Sequence, residues 1–137
     1  MKKRIFFIVA FCIYIAAVLY LCLMKPDDIP QPEFTLFGLP LDKVVHFLMF
    51  LPFPILSYSM LWKGNRRTLI NLLILAASLI CGVGLAFLTE RLQAMTQYRS
   101  ADIYDIYADM KGLATGSLLV LTNIAFVKIR NRKQHIV

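Results

Sequence analysis

Four apolar runs alternate with short polar segments along the chain. The first occupies residues 5–24, 20 positions without a formal charge, behind Lys2, Lys3 and Arg4. A cleaved leader starts the same way, but its apolar stretch is usually about 7–15 residues long and ends at a small-x-small site. Here the run continues through Leu19, Tyr20, Leu21 and Cys22 with no such site, so it reads as an uncleaved span. The second run, residues 44–62, holds Pro52 and Pro54 in its middle. Proline removes a backbone donor and kinks a helix, yet membrane helices tolerate it where neighbours satisfy the freed carbonyls. A kinked span is expected, rather than a broken re-entrant segment. The third run, residues 69–88, continues as helix through Thr89, Glu90, Arg91, Leu92 and Gln93. The fourth, residues 112–127, has only 16 positions; extending it back to residue 106 gives 22 and brings Asp109 and Lys111 into its first turns.

A membrane helix needs about 20 apolar residues. Four of them leave little of a 137-residue chain for anything else. The pattern therefore predicts an all-α membrane protein: a four-helix transmembrane bundle forming one domain over residues 1–137, with spans at about 5–24, 44–62, 69–93 and 105–127. Composition points the same way. Hydrophobic residues make up 59% and charged residues 17%, against about 45–50% and about 25% in soluble domains. Both figures argue against a water-soluble globule, and a disordered chain, poor in apolar side chains, is excluded.

Charge then orients the bundle. The net charge of +7 is not gathered into one patch, which argues against a nucleic-acid partner. The amino terminus, the segment 63–68 and the tail 128–137 carry ten basic residues and no acidic one. The opposite ends carry Lys25, Lys43, Arg91, Arg99 and Lys111 together with all eight acids. Positive loops stay inside, so both termini are expected in the cytoplasm of a multi-pass plasma-membrane protein. Cys12, Cys22 and Cys81 lie within apolar runs, at spacings of neither a disulfide framework nor a metal site.

The acids on the outer side are not scattered. Asp27, Asp28 and Glu33 fall in a proline-rich loop and read as solvated. Asp102, Asp105, Asp109, Gly112 and Gly116 instead recur at spacings of 3, 4, 3 and 4, one face of a helix. Ala108, Gly112 and Gly116 form a small-xxx-small series of the kind that lets membrane helices approach closely. A carboxylate facing lipid costs roughly 2.5–3.5 kcal/mol at mid-membrane on insertion scales, which turns the same stripe inward. Gly82, Ala86, Glu90 and Gln93 repeat the arrangement on the third span. On the second, Asp42 and His46 form an i,i+4 pair, and Asp42 is placed to cap the helix start.

Three helices thus bring Asp42, Lys43, His46, Glu90, Gln93, Asp105 and Asp109 to about one depth, with Arg91, Arg99 and Lys111 nearby. Intramembrane ionisable groups are functional candidates; the alternative is a network of ion pairs and caps fastening helix ends together. His46 is suited to act as a general base, with Glu90 or Asp105 as acid. Arg99 and Lys43 are suited to hold an anionic group such as a lipid phosphate. His46 is the only outward histidine and has no second ligand at a metal-site spacing, so no metal is expected. His135 lies in the basic tail. There is no serine nucleophile motif and no glycine-rich phosphate loop, so no cofactor is implied and no reaction type can be named.

Asp42-Lys43-x-x-His46-Phe47 opening the second span, Glu90-x-x-Gln93 closing the third, and Arg99-x-x-Asp102-x-x-Asp105 opening the fourth, ahead of Gly112 and Gly116, resemble the VanZ-like family of bacterial integral membrane proteins. The resemblance runs from about Asp42 to Ser117. One position departs: the family's Asp-x-x-x-Asn pattern has asparagine where this chain has Asp109. The founding member is associated with low-level resistance to the glycopeptide teicoplanin. The resemblance implies a single VanZ-like domain in the bacterial plasma membrane with a cell-envelope role near the outer leaflet.

Three functions compete at this point. The outward cluster binds or chemically modifies an envelope component, such as a lipid headgroup or a lipid-linked cell-wall precursor, with a link to glycopeptide susceptibility. Alternatively the chain is a non-enzymatic partner docking a larger envelope complex through its spans. The third option, a small oligomeric transporter, fits less well, because coupling charges sit near the bilayer midplane in transporters and the centres of these runs hold none.

Overall fold

The computed structural model describes residues 2–24, 35–36, 39–62, 67–96 and 102–134. Helix α1 spans Lys2–Leu23; β1 (Thr35–Leu36) and β2 (Leu39–Pro40) form a two-stranded antiparallel ladder with Thr35 opposite Pro40. Helices α2 (Leu41–Phe50), α3 (Pro52–Leu61), α4 (Thr68–Ala94) and α5 (Ile103–Gln134) follow.

Among the described residues four segments are long and apolar enough to cross a membrane: Lys2–Leu23, Leu41–Leu61, Thr68–Ala94 and Ile103–Asn131. The second joins α2 and α3, and the division between them has a local cause. Leu51 keeps helical angles and its N–H still reaches Phe47 O at 3.1 Å. Pro52 and Pro54 then offer no N–H to the turn before them, so the hydrogen-bond ladder lapses while the chain direction persists. The segment is one interrupted span.

The helices extend past the apolar runs at several ends. The fourth begins at Ile103 and runs to Gln134, where the hydrophobic pattern suggested 105–127. Apolarity marks only the part of a helix that meets lipid; the last turns, with Lys128 and Arg130 exposed, satisfy their backbone equally well in a polar setting. For the same reason the second span starts at Leu41 rather than at residue 44. The expected cap at Asp42 is corrected. Pro40 occupies the cap position and makes no side-chain cap, while Asp42 lies within the first turn and turns to Lys43 instead.

Burial follows membrane logic. Ile80, Leu73, Leu118 and Phe126 are exposed, whereas His46, Thr89, Glu90, Gln93, Asp105 and Asp109 are buried. A belt of exposed apolar side chains this extensive fits contact with lipid, not water. Helix α5 is the central element, packed on α2, α3 and α4, while α1 lies against α3 and α4. Only 11% of the α1 apolar window is buried, which makes it the peripheral helix. Val18, Cys22, Met49, Phe50, Phe53, Ala86 and Leu113 form the main core. A second core, Tyr58, Leu75, Val120 and Ile124, lies nearer the other end.

The small residues set the distance between α5 and the interrupted span. A Cβ on Gly112 would overlap the carbonyl oxygen of Phe47, and one on Gly116 the carbonyl oxygen of Leu51. Backbone thus meets backbone just where the prolines interrupt α2 and α3. Gly82 sits against Leu113 and Phe53, and Ala86 and Ala108 are buried beside these contacts.

Candidate functional site

The polar cluster is assembled at the amino-terminal ends of α2 and α5 and the carboxyl-terminal end of α4. One ion-pair centre and one imidazole organise it. Lys43 Nζ lies 2.9 Å from Asp42 Oδ2 and also donates to Asp102 Oδ2 and Asp105 Oδ1. An ammonium has three protons, and three carboxylates meet them. The oxygens of Asp42, Asp102 and Asp105 lie within 4.8 Å of one another, a spacing that would suit a cation. Lys43 already supplies that charge, so a metal ion there would have to displace it.

One turn further along α2, His46 lies between two acids of α5. Its Nδ1 is 2.9 Å from Asp109 Oδ1, a hydrogen bond, and its Nε2 is 3.7 Å from Asp105 Oδ2. An ionised carboxylate only accepts, so Asp109 holds the proton of the imidazole on Nδ1 and turns Nε2 toward Asp105. A carboxylate that orients an imidazole in this way frees the other nitrogen for proton transfer. Asp109 has 0% exposure and His46 3%, so both are out of reach of bulk solvent.

Glu90 reaches across from α4. Its Oε1 accepts the backbone N–H of Asp102, while the Asp102 carboxylate accepts the N–H of Tyr104 at 2.9 Å. Asp102 is therefore the residue that caps α5, with its side chain on the second helical N–H. The reciprocal bond of a capping box normally comes from a residue three positions on. That position is Asp105, which faces Lys43, and Glu90 makes the bond from a different helix. The Glu90 Oε2 and Asp109 Oδ2 atoms are buried and have no hydrogen-bond partner among the described residues.

The sequence-predicted residues are thus divided. Asp42, Lys43, His46, Glu90, Asp102, Asp105 and Asp109 converge. Gln93 is buried at the same end but faces α1, donating to Cys22 O at 3.2 Å. Arg91 and Lys111 are exposed. Arg99 lies outside the described residues, as do Asp27, Asp28, Glu33 and His135. Sequence reasoning missed α1's contribution: Tyr14 donates its hydroxyl proton to Met49 O. A tyrosine in the middle of an apolar run was the available signal, since a buried phenol finds a polar partner.

Asp102 lies just outside the spans, and its carboxyl is held below the usual aspartate range, first by the Lys43 hydrogen bond and then by the Tyr104 N–H. Its folded pKa is depressed, so the stabilisation it gives is present above the unfolded value of about 3.9 and lost as pH falls through the folded one. The melting-temperature gap between wild type and Asp102→Asn in detergent is expected to stay constant from about pH 7 to 5 and to close toward pH 3. A gap that closed between pH 7 and 5 would contradict this cap.

A bundle of four membrane-length helices with an acid-rich polar cluster buried at one end defines the class: a small multi-span helical membrane protein. Residues 11–126 match the VanZ/LLP1 family model, and the chain belongs to that family. It is similar to "Uncharacterized protein C11E3.10" of Schizosaccharomyces pombe, 34% identical over 92 residues, which cover 67% of this chain and 52% of the yeast protein. The matched stretch thus spans about half the length of that relative. No solved structure matches the chain significantly.

Proposed function

We propose that the cluster is a ligand site on the non-cytoplasmic face of a bacterial plasma membrane, with both termini in the cytoplasm, and that it binds or chemically modifies an envelope component. A lipid headgroup or a lipid-linked cell-wall precursor is the intended occupant, and altered glycopeptide susceptibility is the consequence at the level of the cell. The observation that carries the reading is the pair of buried oxygens, Glu90 Oε2 and Asp109 Oδ2, that have no partner among the described residues. A buried acceptor without a donor costs about 1–3 kcal/mol, more when charged. An occupant that brings hydrogen-bond donors relieves that cost.

Charge refines the occupant. Among the described residues five carboxylates face one lysine and one histidine, and Lys43 is fully used by three of the acids. The described residues therefore favour an amino or hydroxyl group at the bottom of the site. Arg99 remains available by sequence for an anionic group nearer the surface. In this reading His46 exchanges a proton with the occupant, Asp109 orients it, and Glu90 or Asp105 serves as the acid.

The experiment compares Glu90→Gln, His46→Ala and Asp105→Asn for both membrane abundance and an envelope phenotype such as teicoplanin susceptibility. Glu90→Gln is expected to abolish the phenotype while abundance falls less than about twofold, because the amide keeps its oxygen on the Asp102 N–H. An unchanged phenotype in all three variants at normal abundance would refute the site.

A second reading has its own support. Glu90 caps α5 and Lys43 ties α2 to α5, so the cluster also fastens helix ends for a non-enzymatic partner of an envelope complex. In that case phenotype and abundance would fall together in every variant.

A further inference from the structure

At the end of the bundle away from the carboxylates, α1, α3 and the last turns of α5 enclose a groove of about 910 Å³. Its walls combine Phe6, Phe7 and Trp62 with Lys2, Lys3 and Arg130. We infer that this groove is a binding site for an anionic phospholipid, with the phosphate among Lys2, Lys3 and Arg130 and the upper acyl chain against Phe6, Phe7 and Trp62.

Charge complementarity selects this occupant. Residues 1–26, 43–89 and 110–137 contain no aspartate or glutamate, and among the described residues no side-chain carboxylate lies at that end of the bundle. Among the described residues Lys2, Lys3 and Arg130 enter no ion pair, in contrast to Lys43 at the other end. Three such cations around an apolar slot call for a ligand with a negative head and a hydrocarbon body. The volume falls within the range of about 300–1,000 Å³ typical of small-molecule sites, and basic pockets between membrane helices are suited to phospholipid phosphates. A second copy of this chain would bring its own uncompensated cations to the same place, and a neutral lipid would leave these three unmatched. The inference is independent of the carboxylate site, which lies on other residues.

Trp62 is the only tryptophan in the chain and lines the groove, so its fluorescence reports the occupant directly. The full chain is reconstituted in vesicles of phosphatidylcholine and phosphatidylglycerol, with acyl-chain bromine on one lipid or the other as quencher. Brominated phosphatidylglycerol is expected to quench Trp62 at a mole fraction lower by on the order of tenfold. Lys2→Gln/Lys3→Gln/Arg130→Gln is expected to equalise the two lipids. All three side chains are exposed, so the variant keeps its core. If it fails to insert, molar salt on the wild-type protein must produce the same equalisation by screening. Equal quenching of wild type by both lipids would overturn the inference. So would a preference that persists in the triple variant, or absence of quenching by either lipid, the result if a protein helix fills the groove.

Discussion

Gly112→Ala is expected to unfold much of the bundle, at a cost of about 3 kcal/mol, the upper end of the range for overpacked cores. The added Cβ would overlap Phe47 O and come within 3.0 Å of Leu51 N and 3.2 Å of Phe47 C. All three atoms are backbone, so no rotamer change relieves the clash; α5 must withdraw from α2 or the interrupted span must bend. Either movement separates Asp105 and Asp109 from Lys43 and His46. Gly116→Ala is expected to behave similarly, since its Cβ would overlap Leu51 O and press on Pro54. Gly82→Ala meets first the end of the Leu113 side chain, which can rotate, so about 1 kcal/mol is expected. Gly84 has nothing within 4 Å, and alanine there is expected to be neutral or to stabilise by up to about 1 kcal/mol through helix propensity. The order of unfolding midpoints in detergent checks the series. A Gly112→Ala protein as stable as Gly84→Ala would mean that α5 does not lie against the Phe47–Leu51 backbone.

This graded set also marks what the sequence could tell. The 4-residue spacing from Ala108 to Gly116 named the close-packing face of α5, because only small side chains repeated at that interval let helices touch. It carried no information about the facing surface. That surface is the proline-interrupted stretch of the second span, and prolines at positions 52 and 54 announce a kink without saying which neighbour covers it. Periodicity likewise brought His46, Glu90, Asp105 and Asp109 toward one interior. It could not distinguish Asp102 as cap from Asp102 as stripe member, because a residue one position before a helix keeps the helical register. The capping duty of Glu90 involves a backbone N–H twelve residues away, and main-chain partners leave no trace in side-chain spacing. The end of α5 was illegible for another reason: the apolar pattern stops at the membrane boundary, while the helix continues to Gln134.

The two halves of the polar cluster differ in how firmly they bind the helices. Lys43 is partly open, with 19% side-chain exposure, and Asp42 and Asp102 are each 38% exposed. Water and salt screen such pairs, and exposed ion pairs contribute little. The imidazole and its two acids lie deeper. Asp109 sits six residues into α5, about 9 Å along the axis at the normal helical rise, and is fully enclosed. The outer half is therefore suited to let an occupant in without loss of the fold. The inner half sets the helix register, against which the proposed occupant would be held.

His46→Leu is the second variant with a large expected effect, and the size follows from what remains behind. Removing the imidazole strands Asp109, with both oxygens then lacking any donor among the described residues. Breaking a buried pair by deleting one partner costs about 3–5 kcal/mol, because the surviving charge is left uncompensated. Asp109→Leu strands an imidazole instead, which can be neutral, so a smaller cost of about 1–3 kcal/mol is expected. Asp109→Asn is expected to be the mildest of all. Its amide oxygen accepts the same Nδ1 proton, which agrees with asparagine in the family's Asp-x-x-x-Asn pattern. Replacing both residues, His46→Leu/Asp109→Leu, removes the orphaned groups together and is expected to restore stability to within about 1 kcal/mol of Asp109→Leu alone. The double-mutant cycle, measured by unfolding in detergent, is then strongly non-additive. Additive losses would show that His46 and Asp109 do not share a hydrogen bond, and would remove the inner half of the proposed site with it.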